Sequence, residues 1–243
     1  MRYVNRFIKI QSAPMAEQTE VKTEGKKSKF TKRWAWNKPA PRRAFYNWWL
    51  RLAQKTFMRF RVIGLENVPQ TGGAIVAINH INFWDPLVVM PSLGRPVIPM
   101  TKVEAWEAGL KWFVDGYGAI PVHRGAVDTA AIRSATEALN EGQLVLISPE
   151  GTRSKTGALQ HAQEGMAFLA TRADALILPV AIQGTPRILK RLFAPVTITV
   201  GKPFKLDLQG QKPTREVLSA LTTEAMKNMA ALLPEEMRGV YSV

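Results

Sequence analysis

The amino-acid sequence predicts an α/β domain: a largely parallel sheet flanked by helices, with a basic, aromatic helix at its N-terminal side. Three observations predict it. From Gly64 onward, short apolar runs alternate with longer amphipathic stretches, the rhythm of strand–helix–strand units. At 243 residues and 46% hydrophobic, the chain can bury one sizeable core. The net charge of +14 is gathered ahead of that core: residues 1–61 hold 16 of the 33 lysines and arginines but, among the acids, only Glu17, Glu20 and Glu24.

Taken in order, residues 1–41 read as a flexible basic arm. The run KTEGKKSKFTKR is poor in aliphatic side chains, and Pro39 and Pro41 oppose regular structure. Residues 42–63 read as an amphipathic, membrane-associating helix. Phe45, Trp48, Trp49, Leu52 and Phe60 fall on one broad helical face; Arg51, Lys55 and Arg59 form a stripe beside it, with no acid in the segment. Adjacent tryptophans bordered by cations suit a bilayer interface, with rings at headgroup depth and cations on phosphates. Trp48, Trp49, Arg51 and Lys55 are therefore the expected membrane contacts. A competing reading packs the same aromatic face on the core.

Residues 64–243 read as one domain without internal repeats. Strands are expected at Ala74–Ile78, Pro96–Met100, Ala119–Val122, Leu144–Ile147, Ala175–Ile182 and Val196–Val200. Helices are expected at Pro86–Leu93, Ala105–Val114, Asp128–Asn140, Gln163–Arg172 and Thr214–Leu233, the last bracketed by Pro213 and Pro234.

Composition removes whole classes of function. With no cysteine there is no disulfide, no thiolate zinc site and no thiol nucleophile, and a reducing compartment fits. The longest stretch free of charged residues, Asn67–Trp84, is broken by Pro69, Gly72, Gly73, Asn79, His80 and Asn82, so no spanning helix is expected. The opening MRYVNRFIKI lacks the apolar core of a secretory signal. Phosphate-binding G-x-x-x-x-G-K-[ST], nucleophile-elbow G-x-S-x-G and dinucleotide G-x-G-x-x-G patterns are all missing. Charge alone does not choose among nucleic acid, anionic lipid and acidic proteins. The near-neutral remainder shows no recognition helix or base-stacking signature, so nucleic acid is not the expected partner.

The chemistry gathers where strands end. The first strand runs into Asn79-His80-Ile81-Asn82-Phe83-Trp84-Asp85-Pro86. Histidine is the side chain best suited to accept a proton near neutral pH, and a nearby carboxylate can fix its tautomer. The pair is a poor metal site, because no second ligand stands at zinc spacing. Further along, Gly118-Ala119-Ile120-Pro121-Val122-His123-Arg124 ends a short strand, and Ser148-Pro149-Glu150-Gly151-Thr152-Arg153-Ser154 leaves the strand Leu144–Ile147. Leu178-Pro179-Val180-Ala181-Ile182 is an apolar strand with an internal proline.

In this order the four blocks resemble the glycerolipid acyltransferase family, most closely the 1-acylglycerol-3-phosphate acyltransferases, over about Gly64 to Gly201. The family pattern is NHxxxxD, then G-x-I-x-x-x-R, then F-P-E-G-T-R-S, then an apolar strand with a proline. The resemblance implies that His80 is the general base and that Asp85 orients it. It implies that Arg124 and Arg153 hold an acceptor phosphate, a task suited to the guanidinium fork. Glu150 would help position the acceptor, Gly151 would allow a tight turn, and Thr152 would offer a hydroxyl or N–H. The chain departs from the pattern at Ser148, where relatives have phenylalanine, and at Pro121 and His123 before the arginine.

The implied reaction moves a fatty-acyl group from acyl-CoA or acyl-acyl carrier protein to the free hydroxyl of 1-acylglycerol-3-phosphate, giving phosphatidic acid in phospholipid synthesis, with no bound cofactor or metal. Rival acceptors are a lysophospholipid with a larger headgroup, glycerol-3-phosphate or a glycolipid. Rivals of another class are a basic nucleic-acid-binding protein and a catalytically silent membrane-docking module. The expected location is peripheral, on an anionic membrane surface at the cytoplasmic face of the plasma membrane.

Overall fold

The computed structural model of the chain describes residues 41–105, 109–123 and 128–242. Its framework is a seven-stranded sheet in the order β1-β7-β6-β2-β5-β3-β4. The strands are β1 (Met58–Ile63), β2 (Ala74–Ile78), β3 (Val97–Lys102), β4 (Ile120–Val122), β5 (Leu144–Ile147), β6 (Leu176–Gln183) and β7 (Ala194–Val200). Helices α1 (Pro41–Phe57), α2 (Asp85–Val89), α3 (Lys111–Tyr117), α4 (Thr129–Asn140), α5 (Gly165–Arg172) and α6 (Arg215–Ala230) cover its faces.

Burial on both faces explains why the central strands read as continuous apolar runs. All five residues of β2 are buried, and they feed two layers alternately. Ile75 and Ala77 join one cluster with Ala135 of α4, Leu169 of α5 and Met226 of α6; Ala74, Val76 and Ile78 join another with Val88 of α2 and Tyr117 of α3. Each fully buried leucine or isoleucine contributes about 1.5–3 kcal/mol, so these layers dominate the stability of the sheet. Local signals set the helix starts. Asp128 caps α4 by accepting the Ala131 N–H at 2.9 Å, and Thr214 caps α6 through the Val217 N–H at 3.4 Å.

All pairings are parallel except β6 with β7, so β1 and β7 run against the other five strands. The C-terminal ends of β2 to β6 therefore share one sheet edge with the N-terminal ends of β1 and β7.

The structure corrects the expected helix over residues 42–63. Helix α1 stops at Phe57, and Met58–Ile63 pairs with β7 from Met58↔Ala194 to Ile63↔Thr199. The reason is a change of period. In MRFRVI, Met58, Phe60 and Val62 turn inward while Arg59, Arg61 and Ile63 turn outward, a two-residue alternation that a helix cannot present. Arg59 and Phe60 thus belong to a strand rather than to the helical stripe and face, and the sheet domain begins at Met58 rather than Gly64. The helix expected at Ala105–Val114 lies later, at Lys111–Tyr117. The arm, residues 1–41, falls outside the described residues except for Pro41.

The strand assignment makes a contrast that a helix would not. Phe60→Ser should cost about 2–3 kcal/mol in chemical denaturation, whereas Arg61→Ser should stay within about 0.5 kcal/mol of wild type.

Candidate active site

The site is assembled on the sheet edge where β2, β5 and β6 end. Asn79, the first residue past β2, continues the ladder with its side chain: Nδ2 donates to the Ile182 carbonyl at 3.0 Å and Oδ1 accepts the Ile182 N–H at 2.7 Å. This ties the start of the turn to β6. The next residue, His80, is held from the other side. Its N–H donates to Glu150 Oε1 at 2.9 Å, and its carbonyl accepts the Ser154 N–H at 2.7 Å. Both main-chain groups of His80 are therefore gripped by the loop that follows β5.

The His80 side chain meets Asp85, with Nδ1 2.9 Å from Oδ2. The same oxygen accepts the Ile81 and Asn82 N–H groups, each at 2.7 Å, while Oδ1 accepts the Thr185 hydroxyl at 2.5 Å. Asp85 is completely buried, and the His80 side chain is 20% exposed. An ionised carboxylate only accepts hydrogen bonds, so the imidazole proton belongs on Nδ1. That leaves the Nε2 lone pair as the free end of the ring. The arrangement is a tautomer-fixed base at neutral pH.

Glu150 is buried, with both oxygens occupied: Oε1 by His80 and Oε2 by the Gln160 N–H at 2.9 Å. Burial raises its carboxyl above the ordinary value of 4.5, against the pull of those two amides. In this structure Glu150 positions His80. Gly151 follows in the left-handed region at φ 65°, closing a turn through its N–H to the Ser148 carbonyl at 3.1 Å. Thr152 and Arg153 are exposed on that turn, directly before Ser154, which returns to His80. Arg124 lies outside the described residues. Its neighbour His123 ends β4 on the same sheet edge, with Nδ1 2.8 Å from Asp128 Oδ2 and a side chain 55% exposed. Among the described residues no three histidine, cysteine or carboxylate side chains gather as a metal site.

Sequence reasoning missed three contributors: Thr185, Asn79 and the backbone of Ser154. For Thr185 a signal existed. Gly184-Thr185 stands at the exit of an apolar strand, as His80 and Glu150 do at theirs. Gly184 has φ 89°, and a Cβ there would lie 2.0 Å from the Pro195 carbonyl oxygen, so the turn that delivers Thr185 requires glycine.

The expected membrane residues divide. Trp48 and Trp49 point outward at 58% and 52% exposure, together with Phe45, Leu52 and Phe57. The inward side of α1 is mixed: Tyr46 and Leu50 pack against the core, Gln54 Nε2 donates to the Val88 carbonyl at 3.0 Å, and Asn47 Oδ1 accepts the Tyr117 hydroxyl at 2.7 Å. Arg51 is exposed along its length, but Nε donates to the Pro91 carbonyl at 2.7 Å; Lys55 is exposed. Among the described residues no helix is long and apolar enough to cross a membrane.

The model of the family described as Acyltransferase matches residues 59–183, from β1 through the end of β6. The chain belongs to the acyltransferase family. Its matched region holds His80, Asp85, Glu150 and Arg153, and it begins inside β1, in keeping with the corrected domain boundary. The acyltransferase core is 28% identical over 158 residues to a chloroplastic 1-acyl-sn-glycerol-3-phosphate acyltransferase of Arabidopsis thaliana, covering 61% of this chain but only 44% of that protein. It is 28% identical over 172 residues to the 1-acyl-sn-glycerol-3-phosphate acyltransferase of Bacillus subtilis, covering 67% and 82%. The fold is that of the 1-acyl-sn-glycerophosphate acyltransferase of Thermotoga maritima, with a TM-score of 0.59 over 74% of this chain and 75% of that one, at 24% identity.

Two outcomes follow from the hydrogen bonds. Thr185→Val removes one donor from a buried carboxylate, a loss of about 1–3 kcal/mol. If Thr185 is a positioning residue, acyl transfer should fall roughly tenfold in kcat with little change in KM, and Thr185→Ser should restore it. Glu150→Gln can serve only one of its two amides, so it should destabilise the fold by about 1–3 kcal/mol. Because burial raises the folded-state value, the folded chain keeps this proton to higher pH than the unfolded chain does. The stability advantage of wild type over Glu150→Gln should therefore narrow as pH climbs above 4.5, measured by paired thermal melts.

Proposed function

We propose that the chain transfers a fatty-acyl group from an acyl thioester to the free hydroxyl of 1-acylglycerol-3-phosphate, giving phosphatidic acid. The observation that carries the reading is the buried, donor-saturated Asp85 holding His80 with Nε2 free. Nε2 takes the proton of the acceptor hydroxyl as that oxygen attacks the thioester carbonyl. The tetrahedral intermediate collapses with loss of the thiolate, which receives the proton from the imidazolium. No covalent enzyme intermediate is needed, in keeping with a chain that has no cysteine. Arg153, exposed on the turn that clamps His80, is placed in sequence to meet a phosphate, and Arg124 is its proposed partner.

The acceptor is favoured by the names of the relatives, which in both Arabidopsis thaliana and Bacillus subtilis specify 1-acyl-sn-glycerol-3-phosphate. The thioester carrier, coenzyme A or acyl carrier protein, is acidic in either form and is equally compatible with this basic chain. The outward aromatic face of α1 supports work at an anionic membrane surface, where the acceptor's tail stays in the bilayer.

Purified chain given labelled acyl-CoA and lysophosphatidic acid should form phosphatidic acid, and more slowly with glycerol-3-phosphate or larger lysophospholipids. His80→Ala should lower turnover by about 10²–10⁴-fold or more in a chain that still folds, with a stability loss of about 1–3 kcal/mol from the donor removed from Asp85. Unchanged turnover in that variant would remove His80 from the mechanism.

A further inference from the structure

The segment joining β6 to β7, Gly184–Phe193, contributes only Thr185 to the site. Yet it exposes Leu189, Leu192 and Phe193 at 79%, 64% and 50%. Arg187, Lys190 and Arg191 are exposed between them, and the segment contains no acid. Scattered exposed apolar residues are ordinary, but three large ones within five positions form a patch that asks for a partner. Phe193 also has φ 56°, a left-handed conformation that aromatic residues rarely adopt, so its ring is held outward against local preference.

Both ends of the segment are anchored. At one end Thr185 donates to Asp85. Successive turns then keep the chain compact, with Arg187 N–H on the Gly184 carbonyl and both Lys190 and Arg191 N–H on the Arg187 carbonyl, each at 3.0 Å. At the other end the Phe193 N–H donates to the Phe57 carbonyl at 3.0 Å, and Phe57 is the last residue of α1. The exposed tips of the segment therefore continue from Phe57, the exposed aromatic residue that ends α1. Because β1 and β7 begin on the edge where β2, β5 and β6 end, the segment and the Phe57 end of α1 lie on the same sheet edge as His80.

We propose that Gly184–Phe193 is a second membrane-docking element, seating Leu189, Leu192 and Phe193 in the interface of an anionic phospholipid bilayer. Its occupant follows from the alternation of side chains. Protruding apolar tips enter the acyl boundary while Arg187, Lys190 and Arg191 meet lipid phosphates. An acidic protein partner would satisfy the cations but leave three protruding hydrophobic tips to fill. With α1 it gives two fixed points of attachment, which orient the sheet edge toward the lipid surface. The proposal extends the membrane-surface part of the functional reading and needs no turnover to test.

The absence of cysteine allows a direct experiment on the full chain. Leu192→Cys carrying an environment-sensitive fluorophore should shift to the blue on vesicles of phosphatidylglycerol and phosphatidylcholine. Lys202→Cys, just past the end of β7 on the opposite edge, should not. The triple variant Leu189→Ser, Leu192→Ser, Phe193→Gly should bind these vesicles at least about tenfold more weakly in co-sedimentation. Its melting temperature should not fall, since glycine relieves the left-handed strain. A silent fluorophore at position 192 on vesicle-bound protein would overturn the proposal. So would unchanged affinity of the triple variant, or a blue shift produced by acyl carrier protein without vesicles. Failure of the acyl-transfer reading shows separately, as absence of product from a dispersed short-chain acceptor.

Discussion

The rest of the site depends on one constraint: a fully buried carboxylate must have both of its oxygens hydrogen-bonded. An ionised Asp85 without partners would be intolerable in that position, and the fold meets the demand with two backbone amides, one hydroxyl and one imidazole. Three of these four donors lie within the turn after β2. The fourth comes from Thr185, a hundred residues later, at the end of β6. The carboxylate thus closes its own loop and also staples that loop to a neighbouring strand. The imidazole is the only one of its donors with a second, unoccupied polar atom.

This arrangement is possible because the sheet brings the right strand ends together. β2 is central, flanked by β5 and β6, so the turns after all three strands are neighbours. Glu150 and Ser154, from the turn after β5, hold the His80 main chain; Asn79 and Thr185 bind the turn to β6. Reversal of β1 and β7 brings a further consequence. The chain reaches β1 from α1 and β7 from the Gly184–Phe193 segment on the same edge, so Phe57, at the end of α1, and the exposed tips of that segment lie at the same end of the sheet as the imidazole.

Much of this was legible in the sequence because the information is local. Six of the seven strands, β2 to β7, were readable as apolar runs, and His80, Asp85, Glu150 and Arg153 as polar residues placed where such runs stop. What was not legible depends on three-dimensional accounting. β1 was hidden because a run of aromatic and basic residues continues from α1 into Met58–Ile63, and only the switch from a period near four to a period of two separates them. Thr185 was hidden because its partner is remote in sequence. Glu150 was visible as a functional residue, but nothing in Ser-Pro-Glu-Gly-Thr-Arg-Ser says that both of its oxygens turn toward backbone N–H groups. The orientation of α1 was also undecided by periodicity alone. Asn47, Arg51 and Gln54 bond inward and Tyr46 and Leu50 pack on the core, while the tryptophans face outward.

The chain contains an internal control for the meaning of the His-x4-Asp spacing. His123 and Asp128 repeat it and share the ring contact: Asp128 Oδ2 lies 2.8 Å from His123 Nδ1 and accepts the His123 N–H at 2.8 Å, whereas the His80 N–H goes to Glu150. The spacing therefore lets a carboxylate reach back to an imidazole, and it specifies no more than that. The two pairs differ in surroundings. Asp128 is partly exposed and spends its other oxygen on the cap of α4, and its imidazole is 55% exposed, so water can compete for every polar group. Asp85 is excluded from water and locked by Thr185, and its imidazole is 20% exposed. A hydrogen bond in the drier setting is electrostatically stronger and less easily rearranged, which is what a base poised against a hydroxyl requires. The burial of the aspartate, with the Thr185 hydroxyl supplied from the end of neighbouring β6, is what separates a proton-transfer site from a loop-closing turn.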